Sequence, residues 1–465
     1  MTSLKSTQIL IFGYVGIMIC GAMLLLLPPM HTKPITLLEA LFTSTSAFTC
    51  TGLIVKDTAL DFTPLGQGVI LCLIQLGGFG YMSMLGLLYV LLRKRLSNRE
   101  RNMLKESLNY PSYDGIMRFL RRILIFVFSI ELIGAVVLFT YFFIFKGFSA
   151  PYALCVGLFH AVSAFNNAGF SIFSTNLMDY RDDVLVNLVI CSLIIAGGMG
   201  YIVLVELYFF SSSYLGRILG RFLRSQRTRH IPKPTPRLSL HSKIVITYTI
   251  ALLIIGFVFV LLLELHNAKS IGNLPLSSKL LASFFMSVNY RTAGFNSIDL
   301  GGLKDSTMFF SSLLMIIGGA PGGTAAGIKV TTLAVLLAFC SGLFADRQPR
   351  LFKRSISDES VKKAIGVVII AMLCITLANF LIAVVQEDTR FMLIMFEVCS
   401  AFATVGVSTG NGGTLSLSAN FAPPAQIIII ALMLMGKVGI LAFWLAFVGK
   451  RKVGHTHLPE DRVIV

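Results

Sequence analysis

Four segments of the chain align on a glycine without gaps, and this repeat limits the possible folds more than any other feature of the sequence. In each segment an aromatic residue stands four positions before the glycine, and a phenylalanine stands ten positions before it. A regular internal repeat indicates one structural unit that is used several times. The segments are Ser46-Ala-Phe-Thr-Cys-Thr-Gly52-Leu53, Ser163-Ala-Phe-Asn-Asn-Ala-Gly169-Phe170, Val288-Asn-Tyr-Arg-Thr-Ala-Gly294-Phe295 and Ser400-Ala-Phe-Ala-Thr-Val-Gly406-Val407.

The stretches around these segments are strongly apolar. The 465 residues are 55% hydrophobic and only 13% charged, whereas about 25% of an ordinary soluble domain is charged. A helix needs about 20 apolar residues to span the hydrocarbon core. We therefore predict an all-α integral membrane protein with four pseudo-symmetric helix–pore-loop–helix repeats around one pore. Its eight transmembrane helices are predicted near residues 8–27, 66–92, 123–145, 184–210, 243–265, 307–344, 364–385 and 425–448.

Basic residues alternate with these spans. Lys and Arg cluster between the second and third spans, between the fourth and fifth, after the sixth and in the C-terminal tail. Because cytoplasmic loops are enriched in Lys and Arg, this pattern predicts a multi-pass protein of the cell membrane with both termini in the cytoplasm. It also accounts for the net charge of +17 without nucleic acid as a partner.

The sequence contains no recognisable catalytic arrangement. No nucleophile, base and orienting acid stand out together, so the chain is not predicted to be an enzyme. The eight cysteines lie singly in apolar stretches, and we expect neither a disulfide nor a cysteine metal site. The first apolar stretch lacks a small-residue cleavage site and is interpreted as a retained span rather than a signal peptide.

Each repeated segment ends a helical pattern that is too short to cross the bilayer. The pattern from about Leu37 to Phe48 would extend roughly 18 Å at about 1.5 Å per residue, against a hydrocarbon core of about 30 Å. Irregular backbone at this depth is tolerated only where protein buries it or water reaches it. Four returning segments that meet at one axis would therefore line a water-accessible pore.

The glycine-centred loops are the predicted selectivity filter of this pore. Glycine accepts positive φ values and lets neighbouring backbone approach closely, and rings of backbone carbonyls can replace the water shell of a monovalent cation. The alternative is that the glycines serve tight turns or close helix packing. The predicted filter residues are Thr51, Gly52, Ala168, Gly169, Ala293, Gly294, Val405 and Gly406.

These residues resemble the Trk/Ktr/HKT superfamily of potassium transporters over nearly the whole chain. The most specific matches are residues 163–170, residues 291–297, the glycine-rich stretch that ends Gly327-Ile-Lys329-Val, and residues 401–406. The tail from Leu458 to Val465 and the lack of extra N-terminal spans are similar to the Ktr membrane subunit. This resemblance implies a homodimer in lipid, with one pore in each chain and a cytosolic nucleotide-binding ring that gates it.

The resemblance also implies the transported ion. A serine at the first filter position is associated with sodium-permeable members, so Gly52 implies potassium selectivity, with sodium left open as a second ion. Three residues depart from the family pattern: Cys50 replaces a commoner valine, Gly323 a serine and Lys437 an arginine. Potassium would bind the backbone carbonyls of Cys50, Thr51, Asn167, Ala168, Thr292, Ala293, Thr404 and Val405.

The sixth apolar stretch is interrupted by five glycines and a proline within residues 318–327. Interior Gly costs a helix about 1 kcal/mol and Pro about 3 kcal/mol relative to Ala, so a broken inner helix is predicted. The resemblance implies an intramembrane loop that closes the cytoplasmic side of the pore; a static kink is the alternative. The predicted gate residues are Gly318, Gly319, Pro321, Gly322, Gly323, Gly327, Lys329 and Lys437.

Three charged residues lie within or beside apolar spans, where a charge usually faces water or a partner. Lys437 is predicted to tune permeation or to hold the gate loop, with snorkelling to the interface as the alternative. Lys329 has the same two interpretations. Glu131 is predicted to bond to another helix or to a pore half-helix.

The basic linkers divide the chain into repeats. A secondary transporter with inverted repeats is the alternative of another class, but all four repeats run in the same direction; a membrane scaffold leaves the repeated glycines unexplained. The predicted divisions are repeat 1 at 1–95 (pore loop 37–55), a linker at 96–122, repeat 2 at 123–210 (pore loop 152–172), a linker at 211–242, repeat 3 at 243–344 (pore loop 278–297, broken helix 318–330), a linker at 345–363, repeat 4 at 364–448 (pore loop 391–409) and a tail at 449–465.

Overall fold

A computed structural model describes residues 6–80, 116–222, 238–410 and 414–447. Within these ranges the chain is almost entirely helical, which confirms the predicted all-α class. One antiparallel pair of short strands, β1 (Arg350–Leu351) and β2 (Arg354–Ser355), lies in the predicted linker at 345–363. The predicted tail and most of the linker at 96–122 lie outside the described residues.

Four long helices are apolar enough to cross a membrane: α1 (Ser6–Leu25), α4 (Ile116–Ile144), α8 (Leu240–Glu264) and α12 (Asp358–Val385). Each carries large apolar side chains that face outward, such as Leu132 at 63%, Leu262 at 66% and Leu373 at 65% exposed. Lipid would cover such surfaces, because water would not tolerate so large a continuous apolar area. These helices form the outer wall of the fold.

Four shorter helices precede the glycine loops: α2 (Leu37–Thr49), α5 (Ala150–Phe165), α9 (Leu276–Asn289) and α13 (Phe391–Phe402). They contain 13, 16, 14 and 12 residues, below the roughly 20 that a span requires. Local sequence fixes where they begin: the Thr36 hydroxyl and the Glu39 carboxylate form a capping box at the start of α2. The last turns of all four helices are buried.

An inner helix follows each loop; the second, third and fourth are each interrupted, and the chain beyond residue 80 of the first lies outside the described residues. The inner helices are α3 (Pro64–Phe79), α6 (Val184–Gly198) with α7 (Tyr201–Phe222), α10 (Asp305–Ile316) with α11 (Val330–Phe344), and α14 (Pro423–Val438) with α15 (Ile440–Phe447). The α6–α7 pair is bent by 109°. Short 3₁₀ helices at Pro28–Met30, Met178–Tyr180 and Leu417–Asn420 complete the described elements.

These interruptions change how the predicted spans are built. By length and composition, the described residues contain four helices able to cross a membrane, or five if the bent pair counts as one span. The predicted spans at 184–210, 307–344 and 425–448 are each divided into two helices, and the part of the span at 66–92 beyond residue 80 is outside the described residues. The count of eight spans stays a prediction, as do the repeat boundaries.

Candidate functional site

The four glycine loops meet in one ring. The glycines approach one another so closely that a Cβ atom on any of them would lie against the backbone of another loop. Each of these atoms would lie against the next loop along the chain, with the fourth loop returning to the first, and the one on Gly294 would also lie against the second and first loops. The Cβ on Gly52 would lie 2.6 Å from the Ala168 oxygen, that on Gly169 2.5 Å from the Gly294 Cα, that on Gly294 2.9 Å from the Val405 oxygen, and that on Gly406 would overlap the Thr51 oxygen.

The backbone of each loop repeats the same unusual conformation. The residue two positions before each glycine is left-handed, with φ values of 54° at Cys50, 56° at Asn167, 72° at Thr292 and 50° at Thr404. The glycines themselves have φ values between 70° and 99°. Non-glycine residues adopt this region at a cost, so the four-fold recurrence indicates that the surrounding packing imposes one shape on all four loops.

This shape leaves backbone carbonyl oxygens without partners. The residues at the two positions before each glycine are at most 1% exposed. In the part of the chain that the structure describes, none of their carbonyl oxygens accepts a hydrogen bond. Buried carbonyl groups are almost always paired, so eight orphan acceptors in one ring form a strongly polar and cation-attracting centre. They are the carbonyls of Cys50, Thr51, Asn167, Ala168, Thr292, Ala293, Thr404 and Val405.

Hydrogen bonds to the short helices fix the ring in place. The amides of Thr51, Ala168 and Val405 each donate to a serine carbonyl five residues earlier, all at 2.8 Å. The third loop differs, because the Ala293 amide donates to the Asn289 carbonyl at 3.0 Å, and the Asn289 side chain exchanges hydrogen bonds with the backbone of Phe295. The C-terminal ends of the four short helices therefore face the ring with their partial negative charge.

A polar cavity of about 50 Å³ opens on one side of the ring. It is lined by all four filter glycines and by residues that follow them, including Ser171, Asp299 and Thr409. The cavity has room for a few water molecules. Among the described residues there is no group of three or more His, Cys, Asp or Glu side chains that could hold a metal ion.

On the other side of the ring lies the loop that interrupts the third inner helix, residues 317–329, which we call the broken-helix loop. Its two ends are joined, because the Gly318 amide donates to the Ile328 carbonyl at 2.9 Å and the Ile328 amide donates to the Ile316 carbonyl at 3.0 Å. Its tip packs on the bend between α6 and α7, where the Ala320 amide donates to the Gly198 carbonyl at 2.9 Å. All the predicted gate glycines and Pro321 lie in this loop.

Both predicted gate lysines contact the broken-helix loop. The Nζ atom of Lys329 donates to the Ala325 carbonyl at 2.6 Å, and the Nζ atom of Lys437 donates to the Thr324 carbonyl at 3.2 Å. Lys437 comes from α14 and is half-buried, and it also lies within reach of the Cys50 thiol. Lys437 thus ties the loop to α14, whereas the bond of Lys329 lies within the loop itself.

The buried acid Glu131 bonds both to another helix and to the end of a short helix, the two kinds of partner predicted for it. Its carboxylate accepts hydrogen bonds from the Gln75 amide of α3 at 3.1 Å and from the Asn166 amide, at the end of α5, at 3.0 Å. Glu131 is only 4% exposed. The outer helix α4 is therefore tied to the first inner helix and to the second filter loop by one buried carboxylate.

Sequence reasoning missed several residues at this site. A glycine lies just after the end of α3, α6 and α14, at Gly80, Gly200 and Gly439, and each has a positive φ. The spacing Gly-x-x-Gly, in 77–80, 197–200 and 436–439, was visible in the sequence. Without the structure, however, glycines in an apolar stretch equally indicate close helix packing.

Arg291 was also missed. Its guanidinium is 8% exposed and donates from Nη2 to the Gly318 carbonyl at 3.0 Å. A cation within an apolar stretch signals a functional or positioning role, and this one ties the third filter loop to the start of the broken-helix loop. Thr324, whose hydroxyl reaches the second filter loop, carried no signal in the sequence.

Comparison with known proteins agrees with this architecture. Residues 6–454 match the TrkH family model, described as a cation transport protein. The chain is 37% identical to Ktr system potassium uptake protein B of Bacillus subtilis, covering 98% of this chain and 96% of that protein. It is 32% identical to potassium/sodium uptake protein NtpJ of Enterococcus hirae, with 99% and 97% covered. The potassium transporter TrkH from Vibrio parahaemolyticus shares the fold, with a TM-score of 0.71 at 16% identity over 96% of this chain and 86% of that chain.

Proposed function

The chain belongs to the TrkH family of cation transport proteins, and from this premise we propose that it carries potassium into the cell through the ring of four glycine loops. The observation that carries the proposal is the set of eight buried carbonyl oxygens without hydrogen-bond partners. Leaving such groups unpaired is costly. A dehydrated monovalent cation would pair with them and would in turn recover the oxygen ligands that it loses with its water shell.

The identity of the ion rests on two supports. Relatives that match over nearly their whole length are named as potassium uptake proteins, and the first filter position here is Gly52. One relative is named as a potassium/sodium uptake protein, so sodium is the second ion to be tested. Influx of a cation through such a ring is driven by the membrane potential, which is worth about 2.3 kcal/mol per charge per 100 mV.

The broken-helix loop is proposed as the gate. It lies beside the filter, it carries the residues least able to form a helix, and Lys437 holds it from α14 through the Thr324 carbonyl. An element held by a few hydrogen bonds can be released by a change elsewhere in the molecule. On the same family premise we propose that the chain forms a homodimer in the cytoplasmic membrane, with both termini in the cytoplasm and a cytosolic nucleotide-binding ring as regulator.

The proposal is tested by ion uptake into proteoliposomes that contain the purified chain, with an imposed inside-negative potential. We expect potassium uptake that follows the potential and that sodium inhibits only weakly. Uptake that depends on a sodium or proton gradient rather than on the potential would instead favour a coupled transporter with alternating access. Parallel growth assays in cells deficient in potassium uptake, with and without a co-expressed cytosolic regulator, check that a lack of flux in liposomes is not caused by a missing partner.

A further inference from the structure

We propose that the side-chain amide of Asn167 couples the glycine ring to the broken-helix loop, so that movement of the loop also changes the filter. The inference rests on the proposed function of these two parts as filter and gate. It assigns a positioning role to Asn167 in the second filter loop and to its partner Thr324 in the broken-helix loop.

The Asn167 amide contacts two other elements at once. Its Nδ2 atom donates to the Thr292 hydroxyl of the third filter loop at 3.3 Å, and its Oδ1 atom accepts from the Thr324 hydroxyl at 3.2 Å. Asn167 is 1% exposed and Thr324 is 2% exposed. Water therefore does not compete with these bonds, and a partner lost on one side is not replaced.

The second inner helix leaves space for this amide. A Cβ atom on Gly197 would lie 2.8 Å from the Asn167 Oδ1 atom, and one on Gly198 would lie 3.6 Å from the Nδ2 atom. A larger residue at 197 would overlap the Phe165 carbonyl oxygen and would also crowd the Asn167 amide. The small residues at the end of α6 thus serve the contact between filter and loop as well as the bend of the helix.

Because Asn167 lies outside the broken-helix loop, movement of this loop would break the bond that Asn167 accepts from Thr324. The Thr324 amide donates to the Gly197 carbonyl at 3.3 Å, its carbonyl accepts from Lys437, and its hydroxyl is also 3.4 Å from the Phe165 carbonyl oxygen. A loop that leaves the pore axis must take the hydroxyl away from Asn167. The amide then loses one of its two anchors, and the two filter residues that it links, Asn167 and Thr292, both carry orphan carbonyls of the ring.

An alternative role for Asn167 is purely conformational. Asparagine tolerates the left-handed region better than most residues, and Asn167 has a φ of 56°. The equivalent residues Cys50, Thr292 and Thr404 adopt the same conformation without an amide, so the conformation alone does not require asparagine. Glycine at 167 separates the two roles, because it keeps the backbone shape and removes the amide.

The test measures potassium and sodium flux through purified Thr324→Val, Asn167→Gly and the double variant in proteoliposomes. Loss of one ordinary hydrogen bond shifts a two-state equilibrium by about fivefold. We expect each single variant to raise potassium flux by at least about fivefold and to lower the potassium-to-sodium ratio, with Asn167→Gly the larger because it also removes the bond to Thr292. The double variant should equal Asn167→Gly, which already lacks the contact that Thr324→Val removes. Thr324→Ser, which keeps the hydroxyl, and Thr332→Val, a threonine in the first turn of α11, should match the wild type.

Two results would overturn the coupling. One is a Thr324→Val variant with altered flux but an unchanged potassium-to-sodium ratio, and the other is a double variant whose effects multiply. Thr324→Ala replaces Thr324→Val if the latter does not elute as a folded protein. Failure of the proposed function would look different, because the wild type itself would then show no preference for potassium and Gly52→Ser would change nothing.

Discussion

The side chain of Lys437 donates a hydrogen bond to the backbone carbonyl of Thr324 at 3.2 Å, across 113 residues of sequence. The bond links the fourth inner helix to the loop that interrupts the third. A carbonyl that accepts from an ammonium group makes a charge-assisted bond, which is about twice as strong as a neutral one. Lys437 is thus in a position to hold the broken-helix loop against the filter.

Replacing Lys437 should therefore release the loop. We expect Lys437→Ala to increase potassium flux in proteoliposomes by about tenfold or more, since a hydrogen bond to a charged group contributes about 1.5–3 kcal/mol. Lys437→Arg retains a cationic donor and serves as the matched control. Equal flux in all three proteins would favour the snorkelling interpretation.

The filter assignment is tested by Gly52→Ser. The added side chain would begin 2.6 Å from the Ala168 oxygen, at a backbone φ of 99° that serine tolerates poorly. We expect the preference for potassium over sodium to fall by about tenfold, equivalent to about 1.4 kcal/mol. Gly68→Ser, at an exposed position of α3 where an added Cβ would have nothing within 4 Å, is the control for the effect of replacing a glycine by serine away from the ring. Unchanged selectivity in Gly52→Ser would contradict the assignment.

Deleting residues 320–326 tests the loop as a gate. The deletion removes the tip but leaves the two hydrogen bonds at its base, from the Gly318 amide to the Ile328 carbonyl and from the Ile328 amide to the Ile316 carbonyl, so the third inner helix should keep its two halves aligned. We expect raised leak flux of potassium, measured as uptake without any regulator. A deleted protein that elutes normally and conducts like the wild type would instead indicate a static kink.

Glu131 is predicted to stabilise the fold. Glu131→Ala would leave the Nε2 donor of Gln75 without its acceptor, and a donor left unpaired inside a protein costs about 1–3 kcal/mol. The expected result is a clear fall in the melting temperature of the detergent-solubilised protein, with Glu131→Gln intermediate. Glu359→Ala, which removes an exposed ion pair with Lys363, should melt like the wild type.

The start of α2 should respond to acid. Partial burial raises the pKa of Glu39, but hydrogen bonds from the Thr36 backbone and hydroxyl and from Lys56 outweigh it, so the net pKa lies below the usual 4.5. A lowered pKa means that the stabilisation is present above pH 4.5 and is lost as the pH falls through the folded pKa. We expect Glu39→Gln to lower stability at neutral pH by about 1 kcal/mol, as for a lost helix cap.

Thermal melting between pH 3 and 7 measures this effect. The difference between the wild type and Glu39→Gln should shrink as the pH approaches the acid end. Thr414→Val, which removes a hydrogen bond to Asp57 in the cavity beside the ring, is the control for a loss of stability that does not depend on Glu39. A Glu39→Gln difference that is constant across this range would show that the carboxylate charge contributes nothing.

Much of the site could be predicted because its helix starts and one of its helix breaks depend on neighbouring residues in the sequence. The short helices begin at residues 37, 150, 276 and 391, within two residues of the predicted pore loops. The break in the third inner helix was predicted because five glycines and a proline rule out a continuous helix. The breaks after α6 and α14 were not, because their glycines are fewer and are also compatible with packing.

The order of elements in the repeated unit follows from the sequence: an apolar helix, a short helix, a glycine loop and a second helix are dictated by hydrophobic length and by residues suited to positive φ. Only the tertiary structure decided which loops touch and which polar groups meet inside. Thr324 and Asn167 are 157 residues apart in the sequence. Arg291 reaches the Gly318 carbonyl because the third inner helix is interrupted at that residue. Periodicity reports which face of a helix is apolar, but a buried hydrogen bond depends on the exact approach of two distant backbones, and the packing of all four repeats fixes that approach.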